Sequence, residues 1–508
     1  MPDTAPNDAA RDATITAVAV TMAMLVYHLY AASRLEFMFD EAYYALWARH
    51  LSWGYYDHPP MVAAWIRFST TLFGQSEFGA RVLGIVASAF GSLGIYVIAR
   101  DLLGNTHKAL LATLLWNTTP LIGVGAILVT PDTPLVTFWT TALWGLGRLY
   151  RTGDRRWWLL IGLAAGLALQ SKYTALFLGA SLVLAMIIVP PLRRWWRHPA
   201  PYVGGALALA LFGPNFLWNA QHGWQTFGKQ FGRVADAELT LKFAAEFLGA
   251  QIGLLGPLTF VLVIAGLILA WRGADDGENN GRRILLAMAA PLLVYFVIHS
   301  LHDRVQGNWL APLYPVLAIL AADAALTTIL RPAWAANLLE FSRRWAALLG
   351  GCLVAIVFLQ AQFAPFAIPP RSDPTALLKG WRQLASDINT LVRQEGAGYV
   401  LTQGYALNSL LQVYSPNGPP VFQFNEPQRW SYNPARSQPD ASAPGLLIVE
   451  LRRLNQPEPR ARFASIREIA RLTRTRRGAV LDTYMVFRVA NPTRPILDSE
   501  PPAPPKGP

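Results

Sequence analysis

Two adjacent carboxylates open the run Phe39-Asp40-Glu41-Ala42-Tyr43-Tyr44-Ala45, and Trp53-Gly54-Tyr55-Tyr56-Asp57-His58-Pro59-Pro60 follows shortly after. A carboxylate can take a proton from a reacting hydroxyl. Acids also favour the first turn of a helix, so Asp40 and Glu41 serve equally as a helix cap, and the tyrosines equally as interfacial aromatics. Asp132 lies in Thr130-Pro131-Asp132-Thr133-Pro134, where it forms a turn or supports a site. Lys172, followed by Tyr173, is one of only six lysines and sits between two apolar blocks. A cation at that depth either snorkels to the interface or meets an anion. His302, Asp303 and Arg304 begin a polar turn that runs to Asn308 and Trp309. No HExxH pattern or cysteine partner makes them metal ligands. Trp218, Trp224 and Trp309 read as membrane-belt residues more readily than as sugar platforms.

The elements that position these residues are apolar blocks. Of 508 residues, 53% are hydrophobic and 15% charged. The apolar residues gather in stretches of roughly 18 to 25, enough to cross about 30 Å of hydrocarbon. The reading is a polytopic α-helical membrane protein with about eleven transmembrane helices, at 13–33, 78–99, 108–129, 134–150, 157–171, 172–190, 200–218, 244–271, 283–300, 308–330 and 346–365. The first is expected to be a retained membrane helix, because Met1 to Asp12 lacks a basic region and no cleavage site follows. Cys352, the only cysteine, excludes an intrachain disulfide and reads as core packing.

The net charge of +12 is distributed by topology and does not form a nucleic-acid face. Basic residues recur in alternate loops: Arg100 and Lys108; Arg148, Arg151, Arg155 and Arg156; Arg193, Arg194 and Arg197; Arg272, Arg282 and Arg283; Arg331, Arg343 and Arg344. The positive-inside rule puts these loops and the N-terminus in the cytoplasm. The other side then receives loop 34–77, with an amphipathic helix along the membrane surface, the turns at Asp132 and Lys172, loop 219–243, the turn from His302 to Trp309, and everything after about residue 366.

Beyond Pro369-Pro370-Arg371 the apolar runs shorten. Helical periodicity over 375–396 and strands at 398–402, 445–451 and 479–489 indicate a small soluble α/β domain over 369–491, after a membrane domain over 1–368. The Pro-rich stretch 492–508 reads as a disordered tail.

On this topology Asp40, Glu41, Asp57, His58, Asp132, Lys172, His302, Asp303 and Arg304 share the non-cytoplasmic side. Carboxylates, cations and aromatics at a membrane surface suit an amphipathic substrate carrying a phosphate and a sugar, and cations can stabilise a phosphate leaving group without a metal. A secondary transporter also carries intramembrane charges, but places them mid-helix and often shows internal repeats. A membrane scaffold for the C-terminal domain would not need the loop constellation.

At these residues the chain resembles the polyprenyl-phosphate-sugar glycosyltransferases of the GT-C superfamily, which include bacterial relatives of protein O-mannosyltransferases and the lipid A aminoarabinose transferases. The matching pieces are Asp40-Glu41-Ala42-Tyr43-Tyr44, Tyr55-Tyr56-Asp57-His58-Pro59-Pro60, Glu77-Phe78-Gly79-Ala80-Arg81, Thr130-Pro131-Asp132-Thr133-Pro134-Leu135, Ser171-Lys172-Tyr173-Thr174 and Gly307-Asn308-Trp309-Leu310-Ala311-Pro312. A weaker likeness covers Ala406 to Tyr414 and Pro419 to Phe424. The resemblance implies a GT-C fold and transfer of a hexose or pentose, with inversion, from a polyprenyl-phosphate donor to a lipid, glycan or protein acceptor. It places this at the periplasmic face of a bacterial inner membrane, with no cofactor and no resident metal implied. It makes Asp40 the general base and puts Glu41 beside it, orienting the acceptor or holding the site together. Asp132 supports the site and Lys172 faces the donor phosphate. Tyr43, Tyr44, Tyr56, Asp57, His58, Tyr173, His302, Asp303, Arg304 and Trp309 become substrate-binding positions. Many relatives carry a lysine where this chain has His58, which is only partly charged near neutral pH.

Overall fold

The structure, a computed structural model, describes residues 5–231, 239–273, 279–327, 332–433, 437–454 and 460–499. Arg331, part of loop 219–243 and the 500–508 end of the expected tail lie outside the described residues. The chain divides into two compact units. One comprises Met1–Ala31, His58–Trp65 and Arg81–Ile356; the other comprises Ala32–Asp57, Ile66–Ala80 and Val357–Pro508.

The first unit is helical. Among the described residues six helices are long and apolar enough to cross a membrane: Asp8–Ala32, Glu77–Leu103, Ala200–Gln221, Asn279–His299, Gly307–Leu326 and Ala333–Phe363. Three bent pairs raise the number to nine. The expected eleven exceed this by two, 134–150 and 157–171. They correspond to Asp132–Thr152, which is amphipathic and ends in Arg148 and Arg151, and Trp157–Leu169. With 13 residues, the latter is about 20 Å long.

Each bent pair breaks at a proline, whose ring and missing N–H interrupt the helix. The span expected at 244–271 is two helices, Leu241–Leu255 and Pro257–Arg272, bent by 107°. Gly256 makes the corner at φ 82°, a conformation that favours glycine. The Tyr173–Ile188 helix turns by 109° into Pro190–Arg197, and Thr106–Thr118 by 60° into Pro120–Ile127. Close approach also demands glycine where Trp157–Leu169 meets Ala200–Gln221. A Cβ on Gly162 would stand 2.2 Å from the Gly204 carbonyl oxygen.

Ile15, Val18, Met22 and Val26 are exposed on the first helix, as lipid-facing residues are. Cys352 is exposed on Ala333–Phe363, so its assignment to the core is corrected: a small apolar thiol suits a lipid-facing position as well as a packed one. Two of the basic residues counted with the loops are buried instead. Asp323 accepts from Arg282 Nε at 2.7 Å and pairs with Lys108 Nζ at 2.9 Å. Asp101 receives Arg148 and Arg151 at 3.2 and 2.9 Å.

The second unit holds a five-stranded sheet of β1 (Tyr399–Thr402), β2 (Val421–Gln423), β3 (Gly445–Glu450), β4 (Phe463–Arg476) and β5 (Ala479–Pro492), in the order β2-β1-β3-β5-β4. β1 runs parallel to both β2 and β3, while β5 is antiparallel to β3 and β4. Helix Trp381–Glu395 fits the periodicity over 375–396. Helix Phe39–Trp47 packs against helix Tyr405–Tyr414. β4 escaped the sequence reading because its arginines break the apolar pattern: on this edge strand Arg467 and Arg471 are exposed, where charge deters strand addition, while Arg474 is buried and donates to the Ala376 carbonyl. The start of the expected tail is ordered as well. Ile496 and Leu497 are buried, Asp498 N–H donates to the Phe424 carbonyl and Asp498 pairs with Arg462 at 2.6 Å. Two apolar anchors and an ion pair outweigh the proline bias there.

Candidate active site

In the second unit the site is built on helix Phe39–Trp47. Its first turn carries both acids, and they have different jobs. Glu41 is fully buried, and its Oε2 accepts the Met38 N–H at 3.0 Å, closing the helix N-terminus as a capping acid does. Asp40, one residue earlier, is turned by about 100° around the axis and receives the Tyr405 hydroxyl on Oδ1 at 2.9 Å. Burial pushes the Asp40 carboxyl up from 3.8 to about 6. The Tyr405 bond and the Arg429 charge oppose the rise, and the Asp57 and Glu41 charges add to it. Burial and the Asp40 charge push the Tyr405 phenol well up, so it remains a donor.

Arg429 organises the surrounding side chains. Its Nη1 reaches Asp57 Oδ2 at 2.6 Å, and Nε and Nη2 grip Glu426 at 3.0 and 3.1 Å. The guanidinium lies 4.4 Å from the Tyr405 ring centroid and 5.5 Å from that of Tyr56. Burial works against its charge, yet Glu426 and Asp57 hold its pKa above the ordinary value. Tyr43, fully buried, donates to Asp57 at 2.9 Å. Its ring packs between Trp47, Tyr405 and Trp430 at 4.8, 5.2 and 5.5 Å. Tyr44 is buried beside it.

The first unit contains a second cluster. Asp132 begins its helix and accepts Lys172 Nζ on Oδ1 at 2.7 Å and Asn308 Nδ2 on Oδ2 at 2.8 Å. Lys172 thus meets an anion. The turns at 130–134, 171–173 and 307–309 come together in this cluster. Tyr173 donates to Asn215 at 2.9 Å, accepts from Asn219 at 3.0 Å and stacks on Phe227. Trp309 packs near Phe296 and His299, and Trp218 is buried against His222, so it is core rather than belt. His58 is partly buried.

Three expected site residues are held locally instead. His302 Nδ1 lies 3.2 Å from the Ile298 carbonyl, Asp303 accepts the Arg304 N–H, and Arg304 pairs with Glu246 at 3.1 Å. Among the described residues none of the three bonds to Asp132 or Lys172. A plain polar turn accounts for them. No group of three or more His, Cys, Asp or Glu among the described residues could hold a metal ion.

Sequence reasoning missed Tyr405, Arg429, Asn308, Asn215 and Asn219. Asn308 stood inside a quoted motif, and Tyr405 adjoins the stretch from Ala406. Arg429 carried no spacing signal, because it reaches Asp57 only through the folding of the C-terminal unit.

The chain is a multi-pass helical membrane protein whose fold is like that of a solved membrane protein. Across 94% of this chain and 99% of the other, it superposes on ArnT from Cupriavidus metallidurans, crystallised with undecaprenyl phosphate, with a TM-score of 0.65 at 18% identity. A family model described as dolichyl-phosphate-mannose-protein mannosyltransferase matches residues 57–218. The lipid A galacturonosyltransferase RgtD of Rhizobium johnstonii is 27% identical over 289 residues, 56% of this chain and 60% of that protein. The undecaprenyl phosphate-alpha-4-amino-4-deoxy-L-arabinose arabinosyl transferase of Erwinia tasmaniensis is 27% identical over 288 residues, 53% of this chain. The match spans 49% of its length, so both relatives are covered over less than two thirds.

Proposed function

We propose that this chain moves a monosaccharide from a polyprenyl-phosphate donor to a lipid, glycan or protein acceptor at the periplasmic face of a bacterial inner membrane. Asp40 is the general base, and the observation that carries this is its environment: a carboxylate bonded by a neutral phenol, with its pKa raised to about 6. Such a group is ionised at neutral pH yet basic enough to take a proton. The acceptor oxygen attacks the anomeric carbon, the bond from that carbon to the phosphate oxygen breaks with inversion, and the hydroxyl proton passes to Asp40. The bonding pair leaves with the polyprenyl phosphate. Lys172 meets that phosphate; an ammonium has three donors, and Asp132 takes one. Glu41 holds the helix that presents Asp40. The relatives named for lipid A and for undecaprenyl-phosphate-linked sugar support this donor and acceptor class.

The test is transfer of labelled sugar from a synthetic polyprenyl-phosphate donor by the purified full chain. Asp40→Asn is expected to lose about 10²- to 10⁴-fold in rate while keeping donor affinity. Wild-type rates in that variant would remove the proposed base.

A further inference from the structure

Gln251 lies inside the apolar helix Leu241–Leu255, and the proposed chemistry does not use it. A buried amide is costly unless it is bonded, and this one, 4% exposed, is bonded at both ends. Its Nε2 donates to the Gly307 carbonyl at 3.0 Å, and its Oε1 accepts the Tyr314 hydroxyl at 3.0 Å. A carbonyl can only accept, so the Gly307 contact fixes which end of the amide faces the turn. Gln251 is one of several contacts between this helix and segment 301–314. Thr240, at the N-cap, donates its N–H to the Leu301 carbonyl at 2.8 Å, and Glu246 pairs with Arg304 at 3.1 Å. A Cβ on Gly307 would stand 3.2 Å from Ala250 Cβ and 2.6 Å from Leu254 Cδ1. Glu246, Ala250 and Leu254 recur every four residues and, with Gln251, share one helix face. The exposed Glu246 pair contributes little by itself; Gln251 makes the buried side-chain bond.

The residue after Gly307 connects this face to the second cluster. Asn308 Nδ2 donates to Asp132 Oδ2 at 2.8 Å, while Lys172 Nζ donates to Oδ1 at 2.7 Å. Both Asp132 oxygens are thereby occupied. Among the described residues Asp132 is the one side chain bonded to Lys172 Nζ, and an ammonium has two further donors to offer. Were Asn308 to withdraw, the vacated oxygen would compete for one of them.

We propose that Gln251 is a positioning residue for the donor phosphate. Steadied by Tyr314, it holds the 307–309 turn so that Asn308 stays on Asp132 and Lys172 stays open to an anion. The brace stands on these contacts alone; its use for a phosphate rests on the transferase reading. The detergent-solubilised full chain is compared with Gln251→Met, which keeps length but has no amide, and with Tyr314→Phe, which removes only the outer bond. The probes are polyprenyl phosphate and the matching polyprenol, whose affinity ratio reads the phosphate contact. Gln251→Met should lose about three- to tenfold in polyprenyl phosphate affinity and Tyr314→Phe less, with polyprenol binding unchanged. In transfer assays the loss should fall on the donor KM more than on kcat. Asn308→Ala should lose about tenfold, and adding Gln251→Met to it should cost no more, because both act through one bond. Amide hydrogen exchange over 305–313 should quicken in Gln251→Met. The buried stretch 316–324 should keep its protection, which a general loss of fold would not allow. Unchanged exchange over 305–313, or losses that add in the double variant, would overturn the inference. If Lys172→Met binds polyprenyl phosphate as wild type does, the phosphate reading fails, and quickened exchange leaves the brace standing. If Lys172→Met loses affinity and Gln251→Met does not, the phosphate reading stands and Gln251 has no part in it.

Discussion

The raised pKa of Asp40 makes a quantitative prediction that an ordinary carboxylate does not share. A base with pKa about 6 is about nine-tenths ionised at pH 7 and about one-tenth at pH 5, so kcat/KM should fall about tenfold between them. At the ordinary 3.8 the same change would cost less than about a tenth of the rate. Single-turnover transfer from pH 4.5 to 8 reads the difference directly. Tyr405→Phe deletes the hydrogen bond that holds the acid down, so its rate limb should move above pH 6. Stability should move the opposite way to activity. The native state holds the Asp40 proton more tightly than the unfolded chain, so this residue's contribution is fully present below pH 3.8 and is lost as pH rises through about 6. The loss is roughly 3 kcal/mol at most. Asn keeps an acceptor for Tyr405 and carries no charge to bury. Asp40→Asn should therefore match wild type in thermal unfolding at pH 4 and exceed it at pH 7, while failing to transfer sugar. A flat rate profile from pH 5 to 7 in a wild-type enzyme limited by chemistry would refute the assignment of the base.

Three further outcomes follow from other residues. Lys172→Met should raise the donor Kd at least about tenfold in a variant that still elutes as a folded species; unchanged donor affinity would confine Lys172 to its bond with Asp132. Glu41→Ala should cost about 1 kcal/mol of stability, the value of a helix cap, and leave the pH dependence of kcat in place; a shifted rate limb would give Glu41 a part in proton transfer. Asp323→Ala leaves Lys108 and Arg282 buried without their anion and should cost about 3 to 5 kcal/mol, read as a fall in Tm, whereas a variant that melts with wild type would contradict the buried pairing.

Most of the fold was legible because apolar length and loop charge are properties of consecutive residues. Alternation of Arg-rich and acidic loops grouped Asp132 with Lys172 before any coordinate did so. What stayed illegible depends on contacts distant in sequence. A helix bent at Pro257 and a straight span have nearly the same hydropathy, because the bend costs one hydrogen bond and no apolar residue. The Asp40 and Glu41 pair shows the same limit at the site. Both acids are plausible bases in a string of letters, and only the turn of the helix separates the cap from the residue that meets Tyr405.

Why Asp40, among several carboxylates, should be the base follows from what each one touches. Asp57 is bonded to a guanidinium, Asp132 to an ammonium and Asp323 to both kinds of cation. A carboxylate gripped by a direct cation has an oxygen already committed to that partner. Asp40 is bonded by a neutral phenol, and the Arg429 charge nearest its surroundings is already shared by Asp57 and Glu426. The chain therefore uses its cations to fix the other carboxylates in place and leaves one acid under partial burial, where its basicity is raised. Arg429 belongs to this design as the residue that keeps Asp57 from competing. With Arg429→Gln, Asp57 would lose its ion pair and Asp40 a charge that lowers its pKa, so the rate limb should move to still higher pH.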